Sequence, residues 1–296
     1  MNSWSIECRT SAIADALIRL AAAVVLVLAA QIAAAREGAQ APQLLRVDDP
    51  VREVGFLALD LESGRRWVVA PATLDVRRSP FSTFKIPNLL IALDTGVAES
   101  LDHRIEWDPA HRPAGDHWPG DWAQPQTLNS AFRRSAVWYF RDLALAIGGP
   151  TYRQALAAFG YGNAAAPDGS DLFWLDGTLR ISLREQVGFL ARLVRGELPI
   201  EESSVDALRE AARLDEREGR VLFGKTGAGP VDTEDFDGPF RGWLVGWVER
   251  PDGAPVVYAL YVAGPDWGSI ARFRREAAER LLADTGAWPR PKPLDD

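Results

Sequence analysis

The sequence contains very little of the residues that build disulfides or metal centres. It has one cysteine, Cys8, and three histidines, His103, His111 and His117. A single thiol excludes an internal disulfide framework. The histidine spacings match neither a His-x-His nor a His-Glu-x-x-His pattern, although Asp116 adjoins the last histidine. A polar loop explains these histidines better than a metal site, and we expect no metal.

Positive charge is scarce relative to negative charge. Lys and Arg together number 33 against 41 Asp and Glu, which gives a net charge of −8. This balance opposes nucleic-acid binding, because phosphates need surfaces rich in Lys and Arg. The composition, 47% hydrophobic and 25% charged, is that of a globular protein, and 296 residues suffice for one domain with two lobes. The totals leave the choice between a monomer and a homodimer open.

Long apolar runs are missing except for one near the start, at residues 20–35. Arg9 and Arg19 precede it, and three consecutive alanines at its end offer an A-x-A cleavage signal. This layout predicts a secretory signal peptide at residues 1–35, followed by a linker at 36–50 and a catalytic domain at 51–296. An uncleaved membrane anchor is the competing interpretation, although the run is short for a spanning helix. After cleavage we expect a protein without a thiol and without a membrane segment.

Hydrophobic periodicity changes twice along the rest of the chain. Alternation with a period of two predicts strands at 54–60, 66–69, 219–227, 242–249 and 255–263. A loop is predicted at 101–127. Helical spacing dominates from 128 to 214, where a capping box at Ser182–Glu185 predicts a helix start at 182 and a further helix is predicted at 203–218. A last helix is predicted at 272–283. We therefore predict an α/β (α+β) fold in which strands from both ends form one antiparallel sheet flanked by helices. The sheet lobe covers about 51–80 and 219–296, and an all-helical lobe at about 81–218 is inserted between its two parts.

Ser82 and Lys85 are the first candidate pair for chemistry. On a helix, residues three apart share one face, so the lysine could remove the proton from the serine hydroxyl. A lysine can act in this way only where burial lowers its pKa, and the apolar residues that follow Lys85 favour such burial. Ser-x-x-Lys is weak evidence by itself, and the simpler interpretation is a capped helix start with a solvated lysine.

Three further polar motifs follow in order. Ser135-Ala136-Val137 offers a serine that could pass protons, although a helix N-cap is an equal alternative. Tyr161-Gly162-Asn163 follows a helix end and is an ordinary turn when taken alone. Lys225-Thr226-Gly227 offers a cation, a hydroxyl and a glycine along which a substrate carboxylate could lie, and a surface turn is its alternative.

The order of the four motifs resembles the serine β-lactamase and penicillin-binding superfamily. Ser-x-Val combined with Tyr-Gly-Asn is similar to class D, the oxacillinase-type serine β-lactamases. The resemblance extends from about residue 52 to 284. It includes the segments 79–88, 131–138, 173–177, 181–182, 185–186 and 242–249.

The resemblance implies hydrolysis of β-lactam antibiotics in two steps through an acyl-enzyme on Ser82. Lys85 would carry a carbamate (N6-carboxylysine) formed from CO2 or bicarbonate, with no other cofactor, and would be the general base. Supporting roles would fall to Trp174 as a donor to the carbamate, Val137 as an apolar wall, Ser135 and Lys225 as proton carriers, and Ala228 with Ser82 as backbone donors to the oxyanion. The substrate carboxylate would bind Thr226, Gly227 and Arg274, which fits the helix spacing better than Arg272.

Two departures from the family pattern leave the substrate range open. Phe81, directly before the nucleophile, is bulkier than the small residue usual there, and the segment 228–241 is acidic. Two other functions share these motifs: a penicillin-binding sensor domain that acylates without turnover, and a cell-wall transpeptidase. The compact chain with its single apolar leader favours a secreted, periplasmic hydrolase that confers β-lactam resistance.

Overall fold

The computed structural model describes residues 41–232 and 235–290. The predicted signal peptide at 1–35 and residues 36–40 of the predicted linker lie outside the described residues. The remainder of that linker contains a short strand at Gln43–Leu44. This strand joins the sheet through backbone hydrogen bonds. Two residues are too few for hydrophobic periodicity to predict it.

Strands occupy both ends of the described chain and helices occupy its middle. The strands are β1 Gln43–Leu44, β2 Glu53–Asp60, β3 Arg66–Val69, β4 Arg104–Ile105, β5 Gln126–Thr127, β6 Arg213–Arg217, β7 Arg220–Pro230, β8 Phe240–Arg250 and β9 Gly253–Gly264. The helices are α1 Lys85–Asp94, α2 Leu128–Arg134, α3 Val137–Ile147, α4 Gly149–Phe159, α5 Leu183–Val194, α6 Glu202–Ala212, α7 Trp267–Ala271 and α8 Phe273–Thr285, and 3-10 turns lie at Pro71–Thr73 and Phe81–Phe84.

Seven of these strands form one sheet in the order β1-β3-β2-β9-β8-β7-β6. Every neighbouring pair is antiparallel except β1 and β3, which are parallel. The predicted antiparallel sheet, assembled from the two ends of the chain around a helical insertion, is therefore confirmed, with one parallel strand added at its edge.

Both faces of the sheet are apolar because side chains alternate along its central strands. Leu57 of β2 joins a core shared with α5 and the helical lobe, whereas its neighbours Phe56 and Ala58 join a second core on the opposite face. That second core is covered by α7 and α8 through residues such as Ile270 and Leu281. Burial of each such large side chain contributes roughly 1.5–3 kcal/mol to folding.

The helix predicted at 203–218 is too long. It ends at Ala212, and Arg213–Arg217 form the edge strand β6 against β7. The hairpin turns through Glu218 and Gly219, whose φ angles of 54° and 71° fit the twist of paired strands. Charged residues with good helix propensity concealed this strand, because pairing with β7 outweighs local preference. The segment predicted as a loop, 101–127, likewise contains the two-stranded ribbon β4–β5.

Two features hold the start of the site in place. Ser182 caps α5 with the predicted capping box, its hydroxyl accepting from the Glu185 amide. One residue earlier, Ile181 exchanges two backbone hydrogen bonds with Arg78, both 2.9 Å long. The segment leading to Ser82 is thus attached to the start of a helix that packs on the sheet.

Candidate active site

Ser82 and Lys85 face each other at the junction of a 3-10 turn and α1. Ser82 lies in the turn Phe81–Phe84, and Lys85 is the first residue of the helix that follows. Lys85 Nζ donates to Ser82 Oγ across 2.8 Å. The predicted serine–lysine pair is therefore formed, with the hydroxyl within reach of a proton acceptor.

Lys85 is fully buried, with 0% of its surface exposed. Burial, reinforced by the positive charge of Lys225, holds the pKa of Lys85 well below its usual value of 10.5. The Phe140 ring of α3 forms one wall, with Nζ 5.1 Å from its centroid. Val137, the predicted apolar wall, is half-buried one turn earlier on the same helix. This surrounding favours the neutral amine.

Trp174 packs against the turn that carries Ser82. Its indole is fully buried and stacks on the Phe84 ring at 5.2 Å, directly before Lys85 in the chain. Its carbonyl accepts from the Phe81 amide across 3.1 Å. The indole Nε1 has no hydrogen-bond partner among the described residues. Since a buried N–H is costly without an acceptor, this donor is available for an acceptor that the described residues do not supply.

Ser135 and Lys225 form the second polar pair, one from each lobe. Ser135 ends α2 in the left-handed region, with φ of 62°, so it is a C-terminal residue and not the N-cap that the alternative interpretation assumed. Lys225 Nζ donates to Ser135 Oγ and to the Thr226 carbonyl, both at 3.0 Å. Burial, followed by the charge of Arg274, lowers the pKa of Lys225 to about 7. A group with such a pKa can give and take protons near neutrality.

The strand β7 brings Thr226, Gly227 and Ala228 alongside the nucleophile. A Cβ at Gly227 would lie 2.7 Å from the Pro80 carbonyl oxygen and 3.1 Å from the Ser82 amide nitrogen. The close neighbour of this glycine is thus the turn that carries Ser82. Thr226 and Ala228, on either side, are half-buried. The backbone of Gly227, which directly precedes Ala228, consequently lies beside the Ser82 amide.

Arg274 reaches the same strand from α8. It is buried, and its Nη1 donates to the Gly227 carbonyl across 2.8 Å. The side chain crosses Gly242, where a Cβ would be 2.6 Å from Arg274 Cδ. Burial lowers the pKa of Arg274 to about 10. Arg272, by contrast, has a side chain that is 92% exposed and pairs with Glu276.

The motif Tyr161-Gly162-Asn163 packs next to the site and has a structural role. Asn163 binds the backbone of Thr178 and Arg180, and a Cβ at Gly162 would be 2.9 Å from the Arg180 carbonyl carbon. Tyr161 packs edge-on against Phe84. The motif fixes the segment that follows Trp174.

Sequence reasoning assigned no role to several residues that support the site. Gln186 Nε2 donates to the Thr83 hydroxyl across 3.1 Å and so holds the nucleophile turn from the core side. Tyr152 donates to the buried Asn88 Oδ1 across 2.8 Å, one helical turn beyond Lys85. Only Phe140 could have been predicted from the sequence as part of the apolar wall, because it lies three residues after Val137 and therefore shares its helix face.

The described residues also bear on the acidic segment 228–241, on metal binding and on membrane-spanning helices. The β7–β8 loop contacts the helical lobe where Phe236 stacks on His117 at 4.4 Å. Within residues 41–232 and 235–290, no three His, Cys, Asp or Glu side chains converge on a possible metal position. The same residues contain no helix with the length and hydropathy needed to cross a bilayer.

Comparison with known proteins agrees with this geometry. Residues 60–284 match the family model of the penicillin-binding protein transpeptidase domain. The β-lactamase OXA-20 of Pseudomonas aeruginosa is 37% identical over 72% of this chain and 74% of its own length. The regulatory protein BlaR1 of Bacillus licheniformis is 35% identical over 72% of this chain, which spans only 33% of that protein. A crystal structure of a class D β-lactamase, YbXI from Nostoc, superposes with a TM-score of 0.72 at 30% identity, covering 79% of this chain and 94% of that one.

These matches place the fold in the penicillin-binding transpeptidase family. Within it, the chain belongs to the class D serine β-lactamases. The resemblance stated from the motifs is confirmed.

Proposed function

We propose that this protein hydrolyses β-lactam antibiotics through an acyl-enzyme on Ser82. The observation that carries the proposal is the 2.8 Å contact between Ser82 Oγ and the fully buried Lys85 Nζ. The name of the OXA-20 relative supports the substrate class. The carboxylate of the antibiotic would bind Thr226, Gly227 and Arg274 on the β7 side of the site.

Lys85 would act as N6-carboxylysine. Its neutral Nζ attacks CO2, the N–C bond forms, one proton leaves the nitrogen, and a carbamate anion results. Only a neutral amine can do this, and the lowered pKa of Lys85 supplies it. The unpartnered Trp174 Nε1 would donate to this anion, and Val137 with Phe140 would keep water away. The carbamate supplies a base close to Ser82.

In acylation, the Ser82 proton passes to Lys85 while Oγ bonds to the lactam carbonyl carbon. The amides of Ser82 and Ala228 would stabilise the oxyanion, and loss of one such donor typically costs ~10²–10³ in rate. The carbonyl C–N bond then breaks. Ser135 protonates the departing nitrogen, and Lys225 replaces the proton that Ser135 has given.

Before deacylation, the proton that Lys85 took from Ser82 passes on and replaces the one that Lys225 gave to the ring nitrogen through Ser135. Lys85 would then remove a proton from water, and the resulting hydroxide attacks the ester carbon. The C–Oγ bond breaks and Ser82 recovers its proton. This step separates the hydrolase from the two alternatives. A sensor domain, favoured by the similarity to BlaR1, and a transpeptidase would both stop at an acyl adduct in water.

One assay tests the proposal. Purified protein lacking residues 1–35 is mixed with excess nitrocefin in the presence of bicarbonate, and product is followed by absorbance. We expect many turnovers per protein molecule, and removal of CO2 should slow them. A single stoichiometric burst with a stable adduct on Ser82 would contradict hydrolysis and favour the sensor or the transpeptidase.

The cellular role is part of the same proposal. We infer that residues 1–35 direct export to the periplasm and are then removed, and that the exported enzyme confers β-lactam resistance. Expression in a susceptible Gram-negative host should raise the inhibitory concentration of a penicillin. N-terminal sequencing of the exported protein should find a start near Arg36. An intact leader would instead favour the anchor interpretation.

A further inference from the structure

Phe81 has no role in the mechanism above, although it directly precedes the nucleophile. Its φ angle is 48°, in the left-handed region that bulky residues avoid. Its ring is only 5% exposed. A bulky residue keeps such a conformation where surrounding contacts fix it, and strained backbone of this kind concentrates at functional sites.

Contacts on two sides fix Phe81. Its amide donates to the Trp174 carbonyl across 3.1 Å, which links the nucleophile turn to the wall of the lysine pocket. Its ring lies on Gly229 of β7, where a Cβ would be 2.7 Å from ring carbon Cδ1 and 3.0 Å from Cζ. The residue therefore connects the turn with both neighbouring segments.

Gly229 is required by the ring and not by its own backbone. Its φ does not lie in the left-handed region, so any side chain could adopt the conformation. A side chain at position 229 is excluded only because the Phe81 ring occupies the space that it would need. A similar restriction applies two residues earlier, where a Cβ at Gly227 would be 3.1 Å from the Ser82 amide nitrogen. Both glycines are buried.

Ala228 lies between these two glycines. Its backbone is therefore held on both sides against the turn that carries Phe81 and Ser82. The width of the gap between turn and strand sets the separation of the Ser82 and Ala228 amides, the two donors to the oxyanion. Because the ring fills part of that gap, its size contributes to this separation.

We infer that Phe81 is a positioning residue that sets the geometry of the oxyanion hole through its packing on Gly229. The inference rests on the proposed function of Ser82. Acylation is shared by hydrolase and sensor, so a single-turnover acylation rate tests the inference even if the protein proves unable to deacylate.

A double-mutant cycle on the full domain tests the packing. Gly229→Ala places a methyl group against the Phe81 ring. We expect acylation by a fluorescent penicillin to slow about 10²-fold, since misplacement of the reacting groups by 1 Å can cost that much. Phe81→Ala should slow it about tenfold by loosening the turn, a milder displacement of the same kind. The double variant should recover at least about tenfold over Gly229→Ala, because the methyl then occupies the vacated space.

Two controls separate positioning from general stability. Gly188→Ala adds a methyl in α5 where nothing lies within 4 Å, and its acylation rate should match that of the original protein. Phe81→Leu keeps most of the bulk and should recover most of the rate lost in Phe81→Ala. The loss in Gly229→Ala should appear in the acylation rate constant, with the affinity for the penicillin little changed, at a temperature where every variant is fully folded.

The outcomes decide the inference either way. It is overturned if Gly229→Ala acylates at the original rate, or if the double variant is as slow as the product of the two single effects. It is also overturned if the variants lose melting temperature without losing rate. Should Gly229→Ala fail to fold, the double variant decides the inference. A folded double variant that acylates within about tenfold of Phe81→Ala would support it, and one that acylates more slowly than that would contradict it.

Discussion

Lys85 and Lys225 lie in the same cleft with buried amines, and their hydrogen-bond partners differ. Lys85 Nζ bonds the Ser82 hydroxyl, whereas Lys225 Nζ bonds a different hydroxyl and the carbonyl oxygen of Thr226, and each amine also faces an aromatic ring. Burial lowers the pKa of both amines, followed by the charge of Lys225 at Lys85 and of Arg274 at Lys225, and the pKa of Lys225 falls to about 7. We propose that the carbonyl acceptor, which stabilises an ammonium, suits Lys225 to carry a proton, while Lys85 supplies a neutral amine.

Replacing Lys85 should have the largest effect on turnover. Lys85→Met keeps the length of the side chain and removes the amine, so we expect turnover of a penicillin to fall by about 10⁴-fold, the upper end for loss of a general base. The thermal stability should stay equal or rise, because a thioether suits a dry pocket. Steady-state kinetics and thermal unfolding measure both. Substantial turnover in this variant would remove Lys85 from the mechanism.

Replacing Lys225 should be milder and should change the pH profile. We expect Lys225→Met to lower kcat/KM by about 10²–10³-fold, the range for an assisting acid or base. In the original protein kcat/KM should decline as the pH rises through about 7, because Lys225 loses the proton that Ser135 needs. Lys225→Met should lack this decline. An unchanged alkaline limb would assign that titration to another group.

Trp174→Phe tests whether the indole N–H donates to the group on Lys85, because it removes the N–H and keeps an aromatic ring. Turnover should fall about 10²-fold as the acyl-enzyme accumulates, a loss typical of one donor. Bicarbonate should raise the melting temperature of the original protein by mass action, and this increase should shrink in the variant. Without CO2 the variant should be at least as stable, since a buried donor lacking a partner is removed. Equal bicarbonate responses would contradict the assignment.

Arg274→Gln tests the anion-binding side of the cleft. We expect KM for a penicillin to rise about tenfold, which corresponds to one lost charge-assisted contact. Arg272→Gln is the matched control two residues away, with an exposed side chain, and should leave KM unchanged. A rise in the control alone would mean that the choice of Arg274 is wrong.

The smallest effect concerns stability against pH in CO2-depleted buffer. The folded-state pKa of Lys225, about 7, is below its ordinary value of 10.5. Between these values the unfolded chain holds a proton that the folded chain lacks, so the free energy of unfolding should rise with pH from about 7 to about 10.5. Lys85 acts in the same direction. Urea unfolding across that window should show a smaller rise in Lys225→Met, and a fall with pH would contradict both shifts.

The sequence predicted those parts of the fold and site that depend on local pattern. Ser82 and Lys85 are three residues apart, and the capping box at Ser182 is read from four letters. The strand β6 was missed because its pairing with β7 is a tertiary preference that overrides helix propensity.

Contacts between distant residues were beyond local reasoning. Ser135 meets Lys225 across 90 positions, and the resemblance named both residues without their hydrogen bond. The packing of the Phe81 ring on Gly229 joins a turn to a strand in the other half of the chain. Such pairs follow from how the lobes close on each other, which periodicity does not encode.

The most direct test of the account is a carbon NMR spectrum of the protein in ¹³C-labelled bicarbonate. We expect one protein-bound carbamate resonance, present in the original protein and in Lys225→Met and absent in Lys85→Met. A spectrum without that resonance, or one in which it depends on Lys225 and survives in Lys85→Met, would contradict the assignment of the neutral amine to Lys85.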